Sequence, residues 1–289
     1  MRIEGEWGEE IWMRDPAVIK EGDVWHCFYT HIDKREVEKG KIQLALGRIW
    51  SRDLKHWSKP EILLSGENGY SSPGSIVREQ DGFLVCLQSY PVNQGEIYGS
   101  DACRLWLMKS RDLIHFEKPM IVSETGCMAR WANSRRQIDP FLLKAEDRYY
   151  MFYKTDGCIG LLKANEFGCF EEGSDDRPVL KPGDTPDGVT VENPCVICQD
   201  GKYRMFFAPC REGRGIGTAW SNDLQNWKDI QYLDFPKEIW APGGATAPVV
   251  IDDRENSGKW LMFYHGDTEG VHGGALGIAW SDDLFSWNV

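Results

Sequence analysis

The chain has 289 residues, and its 33 basic and 45 acidic side chains give a net charge of -12. This acidity disfavours nucleic acid and anionic membranes as partners, because like charges repel, and no apolar run approaches the ~18 residues of a membrane-spanning helix. The composition of 42% hydrophobic residues, 30 Gly, 14 Pro and 13 Trp favours a sizeable core of short strands and tight turns, and suits ring-shaped ligands.

The amino-terminal segment has no basic stretch followed by an apolar one, and the nine cysteines show no paired spacing. We therefore expect no secretory signal, reduced thiols and a cytoplasmic location. Cys195 and Cys198 form a lone C-x-x-C in a strand-like run. With no second pair to complete a zinc site, the expected role of these two cysteines is structural.

Strand and turn signals recur in chain order. Each unit begins with a proline that opens an apolar strand, continues through a turn, and returns in an aromatic-rich strand. The prolines are Pro16, Pro73, Pro140, Pro194 and Pro248, and the turns are residues 21–23, 80–82, 145–147, 199–201 and 256–258. Proline is tolerated at the first residue of a strand, and Gly and Asp supply hairpin turns.

A seven-residue motif follows these strands in each unit, with serine first, leucine fourth and an aromatic residue seventh. Four clear copies and one worn copy begin at Ser51, Ser110, Ala164, Ser221 and Ser281. A regular period of this length indicates a repeat architecture. Because every unit carries the motif, we interpret it as a structural turn with an aromatic side chain that packs between units.

Five units of four short strands, without a convincing amphipathic helix, predict an all-β fold: a five-bladed β-propeller with an axial funnel, formed by residues 1–289 as one domain. A solenoid would need polar capping units at both ends, which the sequence does not show. The last unit stops at Val289, two residues after Trp287, where other units continue into a further strand. We expect residues 1–12 to pair at this edge and help to close the ring.

The residues beside the five prolines should converge on one funnel, because the innermost strands of a propeller start around one mouth. Asp15 and Asp139 directly precede prolines of units one and three, and Glu192 lies two residues before the proline of unit four. An Asp before Pro is a common turn residue, but three acids at one mouth repel each other. Glycoside hydrolysis needs such acids: one protonates the leaving oxygen, one acts at the anomeric carbon, and a third can raise the donor's pKa.

With these acids and this blade pattern, the whole sequence resembles the five-bladed propeller glycosidases of glycoside hydrolase families 43, 62, 32 and 68. The likeness to family 43 implies that Asp15 is the general base, Asp139 the pKa modulator and Glu192 the general acid. Residues 12–16, Trp-Met-Arg-Asp-Pro, are also similar to the invertase-type Trp-Met-Asn-Asp-Pro motif, in which the Asp is a nucleophile and the anomer is retained. Since Arg14 replaces the Asn of that motif, the stereochemical outcome stays open.

Substrate contacts are expected from position beside the catalytic strands. Aromatic rings could stack on a sugar face and polar groups could bind hydroxyls; the candidates are Trp12, Arg14, Ser72, Trp131, Arg136 and His265. The family 43 likeness also places an axial histidine at His265, near a water or a Ca²⁺ ion. No cofactor is required, and the axial Ca²⁺ at His265 is the weak metal candidate.

These observations predict a family 43-like glycosidase that cleaves short oligosaccharides or glycosides, exo-acting on pentosides such as arabinofuranosides or xylosides. Its partner is a small carbohydrate, without nucleic acid or membrane partners, and the oligomeric state stays open. Alternatives are a retaining fructosidase-like hydrolase, a glycoside phosphorylase and a non-catalytic sugar-binding propeller. For phosphorolysis an anion pocket could form from Arg14, Arg130, Arg135, Arg136 and Arg214. That chemistry needs one protein acid and leaves two carboxylates unexplained.

Overall fold

The structure is a computed structural model that describes residues 1–289, apart from the side chains of Ser72 and Pro73. The described residues form five antiparallel sheets. The innermost strand of each sheet contacts the innermost strand of the next, and that of the fifth sheet contacts that of the first. This closed ring confirms the predicted five-bladed β-propeller.

The five blades follow one another along the chain. Blade one contains β1 (Ile11–Glu21), β2 (Val24–Asp33), helix α1 (Lys34–Glu38), β3 (Leu44–Ser51) and β4 (Glu61–Leu64). Blade two contains β5 (Tyr70–Glu79), β6 (Gly82–Ser89), β7 (Arg104–Ser110) and β8 (Met120–Ile121). Blade three contains β9 (Ile138–Ala145), β10 (Arg148–Thr155), β11 (Cys158–Ala164) and β12 (Glu171–Glu172).

A 3₁₀ turn (Pro182–Asp184) leads into blade four, which contains β13 (Val191–Gln199), β14 (Lys202–Pro209), β15 (Gly217–Ser221) and β16 (Lys228–Tyr232). Blade five contains β17 (Gly244–Asp253), helix α2 (Arg254–Ser257), β18 (Lys259–Asp267) and β19 (Gly274–Ser281). Within the described part of the chain, no helix has the length and hydropathy to span a membrane.

Blade five has three named strands, and the first residues of the chain lie beside β19. The N–H of Ile3 donates to the carbonyl of Leu276 at 2.8 Å, and the N–H of Ile278 donates to the carbonyl of Met1 at 2.8 Å. The side chain of Ile3 is buried, with 4% exposed. At the other end of β19, Asn288 bridges to Trp280. Residues 1–3 and Asn288 therefore cover the outer edge of blade five.

The repeated motif forms a hydrogen-bonded turn. In blade one, Ser51 Oγ accepts the N–H of Leu54 at 2.9 Å, and Asp53 Oδ1 accepts the N–H of His56 at 2.8 Å. Leu54 adopts a left-handed conformation with φ of 62°. The equivalent leucines have φ of 60°, 64° and 66°; they are Leu113, Leu224 and Leu284.

Buried arginines connect two of these turns to the preceding blade. Arg204 on β14 donates to the carbonyl of Leu284 at 2.9 Å, and Arg48 on β3 donates to the carbonyl of Leu113. Arg204 is 0% exposed and its guanidinium lies over the rings of Phe206, Trp220 and Phe285. The motif therefore holds blades together.

Each innermost strand bulges near its proline, where its pairing register shifts. One residue of each bulge has a positive φ: 48° at Asp15, 35° at Gly74, 52° at Asp139, 52° at Asn193 and 48° at Ala247. Non-glycine residues in this conformation cost about 1–3 kcal/mol, and such strain concentrates at functional sites. All five residues line one small central cavity. The fold thus brings the five bulges together around the axis.

Candidate active site

A cavity of about 250 Å³ lies at the mouth of the funnel, with wall residues from all five blades. Asp15, Asp139 and Glu192 all line it. The structure therefore brings together three carboxyl groups that are separated by up to 177 positions in the sequence. The volume is at the lower end of the ~300–1,000 Å³ typical of ligand pockets.

The acids occupy two sides of the cavity. Asp15 and Asp139 are the left-handed bulge residues of their strands, whereas Glu192 is one residue earlier, directly before the bulge residue Asn193. Blade three adjoins blade four, while blade one adjoins blades two and five. Asp139 and Glu192 are therefore neighbours, and Asp15 lies across the axis from them.

Asp15 is partly buried and is held by two side chains. His265 Nδ1 lies 3.0 Å from the backbone nitrogen and 3.1 Å from Oδ1 of Asp15, and the Thr30 hydroxyl donates to Oδ2 at 3.1 Å. Burial by itself would raise the pKa of Asp15, but His265, Arg14 and Thr30 outweigh it, so the pKa lies below its ordinary value. Asp15 is thus an ionised carboxylate at neutral pH.

Glu192 is partly buried and lies between two cations. Its carboxylate forms ion pairs with the Lys154 ammonium and the Arg214 guanidinium. Burial would raise the pKa of Glu192, but these charges outweigh that effect and hold it well below its ordinary value. The same carboxylate raises the pKa of Lys154 and of Arg214, against the effect of their burial. In the unliganded protein Glu192 is therefore ionised.

Asp139 has the opposite electrostatic environment. Burial raises its pKa to about 7, and the charges of Glu192 and Asp15 act in the same direction, with Lys154 and Arg136 only partly opposing them. Its backbone N–H donates to Gln88 Oε1 at 2.7 Å. Asp139 therefore carries a proton through much of the range in which its two neighbours are ionised.

A ring of residues on the second strands surrounds the acids, and the sequence analysis singled out only His265 among them. The residues just before the bulges pair with Thr30, Gln88, Lys154, Ala208 and His265. Each follows a large apolar or aromatic residue in the sequence runs Phe-Tyr-Thr, Cys-Leu-Gln, Phe-Tyr-Lys, Phe-Phe-Ala and Phe-Tyr-His. These equivalent positions differ in each blade, which is the signal that could have identified them.

Asp267 is a further residue that the sequence analysis missed. It forms ion pairs with Arg14 at 3.4 Å and with Arg214, and its Oδ1 lies 3.2 Å from His265 Nε2. Burial would raise the pKa of Asp267, but the hydrogen bond with His265 and the charges around it hold the pKa far below its ordinary value. Asp267 thereby links His265, which contacts Asp15, to Arg214, which contacts Glu192.

The predicted substrate contacts divide into two groups. Arg14 and Arg136 line the cavity. Trp12 instead lines a separate surface groove with Trp7 and Trp240. Trp131 packs against the apolar core between blades two and three, and its Nε1 donates to the carbonyl of Ser174 at 2.6 Å. The prediction for Ser72 falls on a side chain outside those that the structure describes.

His265 lies behind Asp15, with 1% of its side chain exposed. Asp15 and Asp267 occupy its two ring nitrogens, and Arg14 and Arg214 flank Asp267. These contacts give a cation no open nitrogen ligand at His265. In the described part of the chain no group of three or more His, Cys, Asp or Glu side chains is placed to hold a metal ion.

The five arginines proposed for an anion pocket do not converge. Arg14, Arg136 and Arg214 line the cavity. Arg130 is 69% exposed and forms ion pairs with Asp175 and Asp176. Arg135 is exposed and donates to the carbonyl of Cys127 at 2.7 Å. Two of the five therefore lie outside the site.

Loops from blades two and five meet at the mouth of the cavity. Tyr98, on the loop between β6 and β7, and His272, on the loop between β18 and β19, both line the cavity, with ring centroids 6.4 Å apart. The backbone of Ile97 also hydrogen-bonds His272. Burial lowers the pKa of His272, and its Nε2 is buried without a partner among the described residues. This contact narrows the entrance.

Residues 8–175, more than half of the chain, match the glycosyl hydrolases family 32 N-terminal domain. The chain belongs to this family. The matched region contains Asp15 and Asp139 and ends before Glu192. A family 32 N-terminal domain is a glycoside hydrolase domain, which agrees with the paired-carboxyl chemistry of the cavity.

The family 32 chain is also similar to other proteins over its whole length. It is 24% identical over 317 aligned residues to the uncharacterized protein MT1551 of Mycobacterium tuberculosis (strain CDC 1551 / Oshkosh), covering 96% of this chain and 97% of that one. A GH43 endo-arabinanase from Bacillus licheniformis is 19% identical, with a TM-score of 0.72 and coverage of 100% and 99%. An exo-1,5-alpha-L-arabinanase from a bovine ruminal metagenomic library is 15% identical, with a TM-score of 0.71 and 98% of each chain covered. These structural likenesses confirm the five-bladed fold.

Proposed function

We propose that the protein hydrolyses glycosidic bonds between Asp15 on one side of the cavity and the Asp139–Glu192 pair on the other. The observation that carries this proposal is the split of pKa values across the axis: Asp15 is ionised, while the opposite pair keeps a proton until about pH 7. Carboxyl groups whose surroundings separate their pKa values in this way supply an acid and a base to one reaction.

Each acid has one role in the proposed reaction. Asp15, as the ionised carboxylate, takes a proton from the water that attacks the anomeric carbon. Glu192 donates the proton to the leaving oxygen, and Asp139 keeps that proton available near neutral pH. Because the ion pairs with Lys154 and Arg214 hold Glu192 ionised in the unliganded protein, the proton has to move from Asp139 to Glu192 when the substrate binds. Sugar hydroxyls that take over Lys154 or Arg214 would raise the pKa of Glu192 and favour this transfer.

The shape of the cavity supports exo-action on short substrates. Its volume of about 250 Å³ suits a terminal sugar residue better than the interior of a long chain, and the Tyr98–His272 contact narrows its mouth. Pentosides such as arabinofuranosides and xylosides are our leading substrates. A cytoplasmic location stays a prediction.

A retaining fructosidase is the second candidate, and the family match favours it. The matched region includes the Trp-Met-Arg-Asp-Pro segment, where the invertase-type motif places a nucleophilic Asp. In this alternative Asp15 attacks the anomeric carbon directly, and water then releases the sugar with its anomeric configuration retained.

Phosphorolysis has weaker support than hydrolysis. Two of the three arginines in the cavity are neutralised by protein carboxylates, Arg14 by Asp267 and Arg214 by both Asp267 and Glu192. An anion pocket made from all five arginines would require Arg130 and Arg135, which lie outside the cavity. The geometry therefore favours water over phosphate as the acceptor.

The test is a panel of nitrophenyl pentosides, fructosides and hexosides assayed with and without phosphate, followed by NMR of the first-formed anomer. We expect phosphate-independent turnover of a pentoside, and loss of that turnover in Asp15→Asn. Strict dependence on phosphate would overturn hydrolysis. If no glycoside is turned over and Asp15→Asn and Glu192→Gln bind sugars as the wild type does, the protein is a sugar-binding propeller.

A further inference from the structure

Arg136 differs from the other cations of the cavity. Lys154 and Arg214 form ion pairs with Glu192, and Arg14 forms one with Asp267. Among the described side chains, Arg136 forms no ion pair with a carboxylate. Its Nη2 instead donates to the hydroxyl of Tyr90 at 3.0 Å, and its guanidinium lies 5.2 Å from the centre of the Tyr90 ring.

The guanidinium of Arg136 also has unused donor capacity. It donates to the side chain of Cys103, but its Nε is buried and has no partner among the described residues. Even a partly buried cation such as Arg136 is costly without a counter-charge, and so is a buried donor without an acceptor. A ligand that supplies a negative charge and acceptor oxygens at the cavity wall would remove the first of these costs.

The nearby carboxyl group of Asp139 does not fully supply the negative charge that Arg136 lacks. Asp139 is its acidic neighbour, but Asp139 has a pKa raised to about 7 and is largely protonated below that pH. The wall around Arg136 and Tyr90 is therefore more positive than the rest of the cavity. This local charge contrasts with the net charge of -12 of the whole chain.

We propose that Arg136 and Tyr90 form a subsite for an oxyanion group, a carboxylate or a phosphate, that binds next to the glycosidic bond. The group is either carried by the glycoside or supplied as inorganic phosphate. The planar fork of arginine matches either group with two parallel hydrogen bonds, and the Tyr90 hydroxyl adds a third polar contact. The placement beside the bond rests on the proposed function, whereas the binding of the oxyanion does not require turnover.

The experiment measures binding by calorimetry at constant ionic strength, with glucuronate and galacturonate as probes and glucose and galactose as their neutral counterparts. We expect the uronates to bind at least about tenfold more tightly than the neutral sugars, because a charge-assisted pair is worth a factor of this order. In Arg136→Gln this preference should disappear. Equal affinities for charged and neutral sugars in the wild type would overturn the subsite.

Matched variants separate this role from a general effect of charge or folding. Arg130→Gln removes one positive charge from the surface and should keep the preference for uronates. Arg136→Lys keeps the charge but loses the planar fork, so it should keep part of the preference for uronates. A thermal melt shows whether Arg136→Gln is folded, and Arg136→Lys still tests the subsite if it is not. Uronate preference that survives in Arg136→Gln would refute the assignment to Arg136.

Inorganic phosphate distinguishes the two sources of the oxyanion. If uronates bind through Arg136 and phosphate does not, the glycoside carries the charged group. If phosphate binds in competition with uronates, and this binding is lost in Arg136→Gln, the subsite also takes the free ion. Because these are binding measurements, an inactive protein with an intact preference would reject the proposed hydrolysis and keep the subsite.

Discussion

Asp139 and Glu192 lie on neighbouring blades of one cavity, and their pKa values are shifted in opposite directions. Lys154 and Arg214 contact Glu192 and stabilise its charge, whereas Asp139 is buried and faces two other acids. The two carboxyl groups therefore bind one proton between them near neutral pH, and this proton belongs to the pair.

Replacing Glu192 with Gln should separate substrates by their leaving groups. Turnover of glycosides with alkyl or sugar leaving groups should fall by about 10²–10⁴-fold, because these groups need a proton in order to depart. Dinitrophenyl glycosides should lose less than about tenfold, since their phenolates leave without protonation. Steady-state kinetics on a series of leaving groups measures the difference.

Asp15→Asn is the comparison for this series, because Asp15 is expected to act at the anomeric carbon whatever the leaving group. This variant should be nearly inactive on both kinds of substrate. An equal loss on good and poor leaving groups in Glu192→Gln would show that Glu192 is not the donor. Selective loss in Asp139→Asn together with an equal loss in Glu192→Gln would assign the donation to Asp139.

Asp139→Asn should stabilise the protein at alkaline pH. The pKa of Asp139 rises from 3.8 to about 7 on folding, so the folded state binds this proton more tightly than the unfolded state. The resulting stability is full below about pH 4 and is lost as the pH rises through 7. At pH 8 we expect the variant to be about 1–3 kcal/mol more stable than the wild type.

Urea unfolding at pH 5 and pH 8 checks this prediction. Asp234→Asn is the control, since Asp234 is exposed and lies outside the cavity. The gain of Asp139→Asn should be clearly larger at pH 8 than at pH 5. A gain that does not change with pH would mean that Asp139 is not buried in a protonated form.

His265 should set the acidic limb of the pH profile by acting on Asp15. Because His265 holds the pKa of Asp15 low, His265→Asn should raise that pKa. Since Asp15 has to be ionised, the fall of kcat/KM on acidification should begin roughly one pH unit higher. His115→Asn, on an exposed side chain, is the control. A uniform loss of activity with an unchanged limb would mean that His265 only supports the fold.

Much of the fold could be predicted because the repeated turn is stabilised by contacts between residues that are close in the sequence. The Ser-x-Asp-Leu turn satisfies its hydrogen bonds within a few residues, as Ser51 and Asp53 do, so each copy is visible in the sequence. The prolines mark the bulges at which Asp15 and Asp139 are held. The equivalent positions in the five units were therefore sufficient to predict that the three acids line one cavity.

The partners of the acids could not be read in the same way, because they depend on contacts between distant segments. Lys154 reaches Glu192 from another blade, and His265 reaches Asp15 across the closure of the ring. The sequence also could not show in which direction a single side chain in a loop points. Trp131 precedes β9 in a loop. A loop has no alternation of inward and outward side chains, so the sequence could not show that the Trp131 ring packs against the core between blades two and three.

Pairing of residues 1–3 with β19 should contribute measurably to stability. Ile3 is buried in the core between blades one and five, so Ile3→Ala should cost about 2–4 kcal/mol, whereas Glu4→Ala at the exposed neighbouring position should change stability by less than about 0.5 kcal/mol. Deletion of residues 1–12 removes this contact and the start of β1 as well, so its melting temperature should fall further, by at least about 5 °C. Calorimetric melting of the three variants measures these effects. If the deletion melts at the temperature of the full chain, residues 1–12 do not close the ring, and the edge of β19 is stable without them.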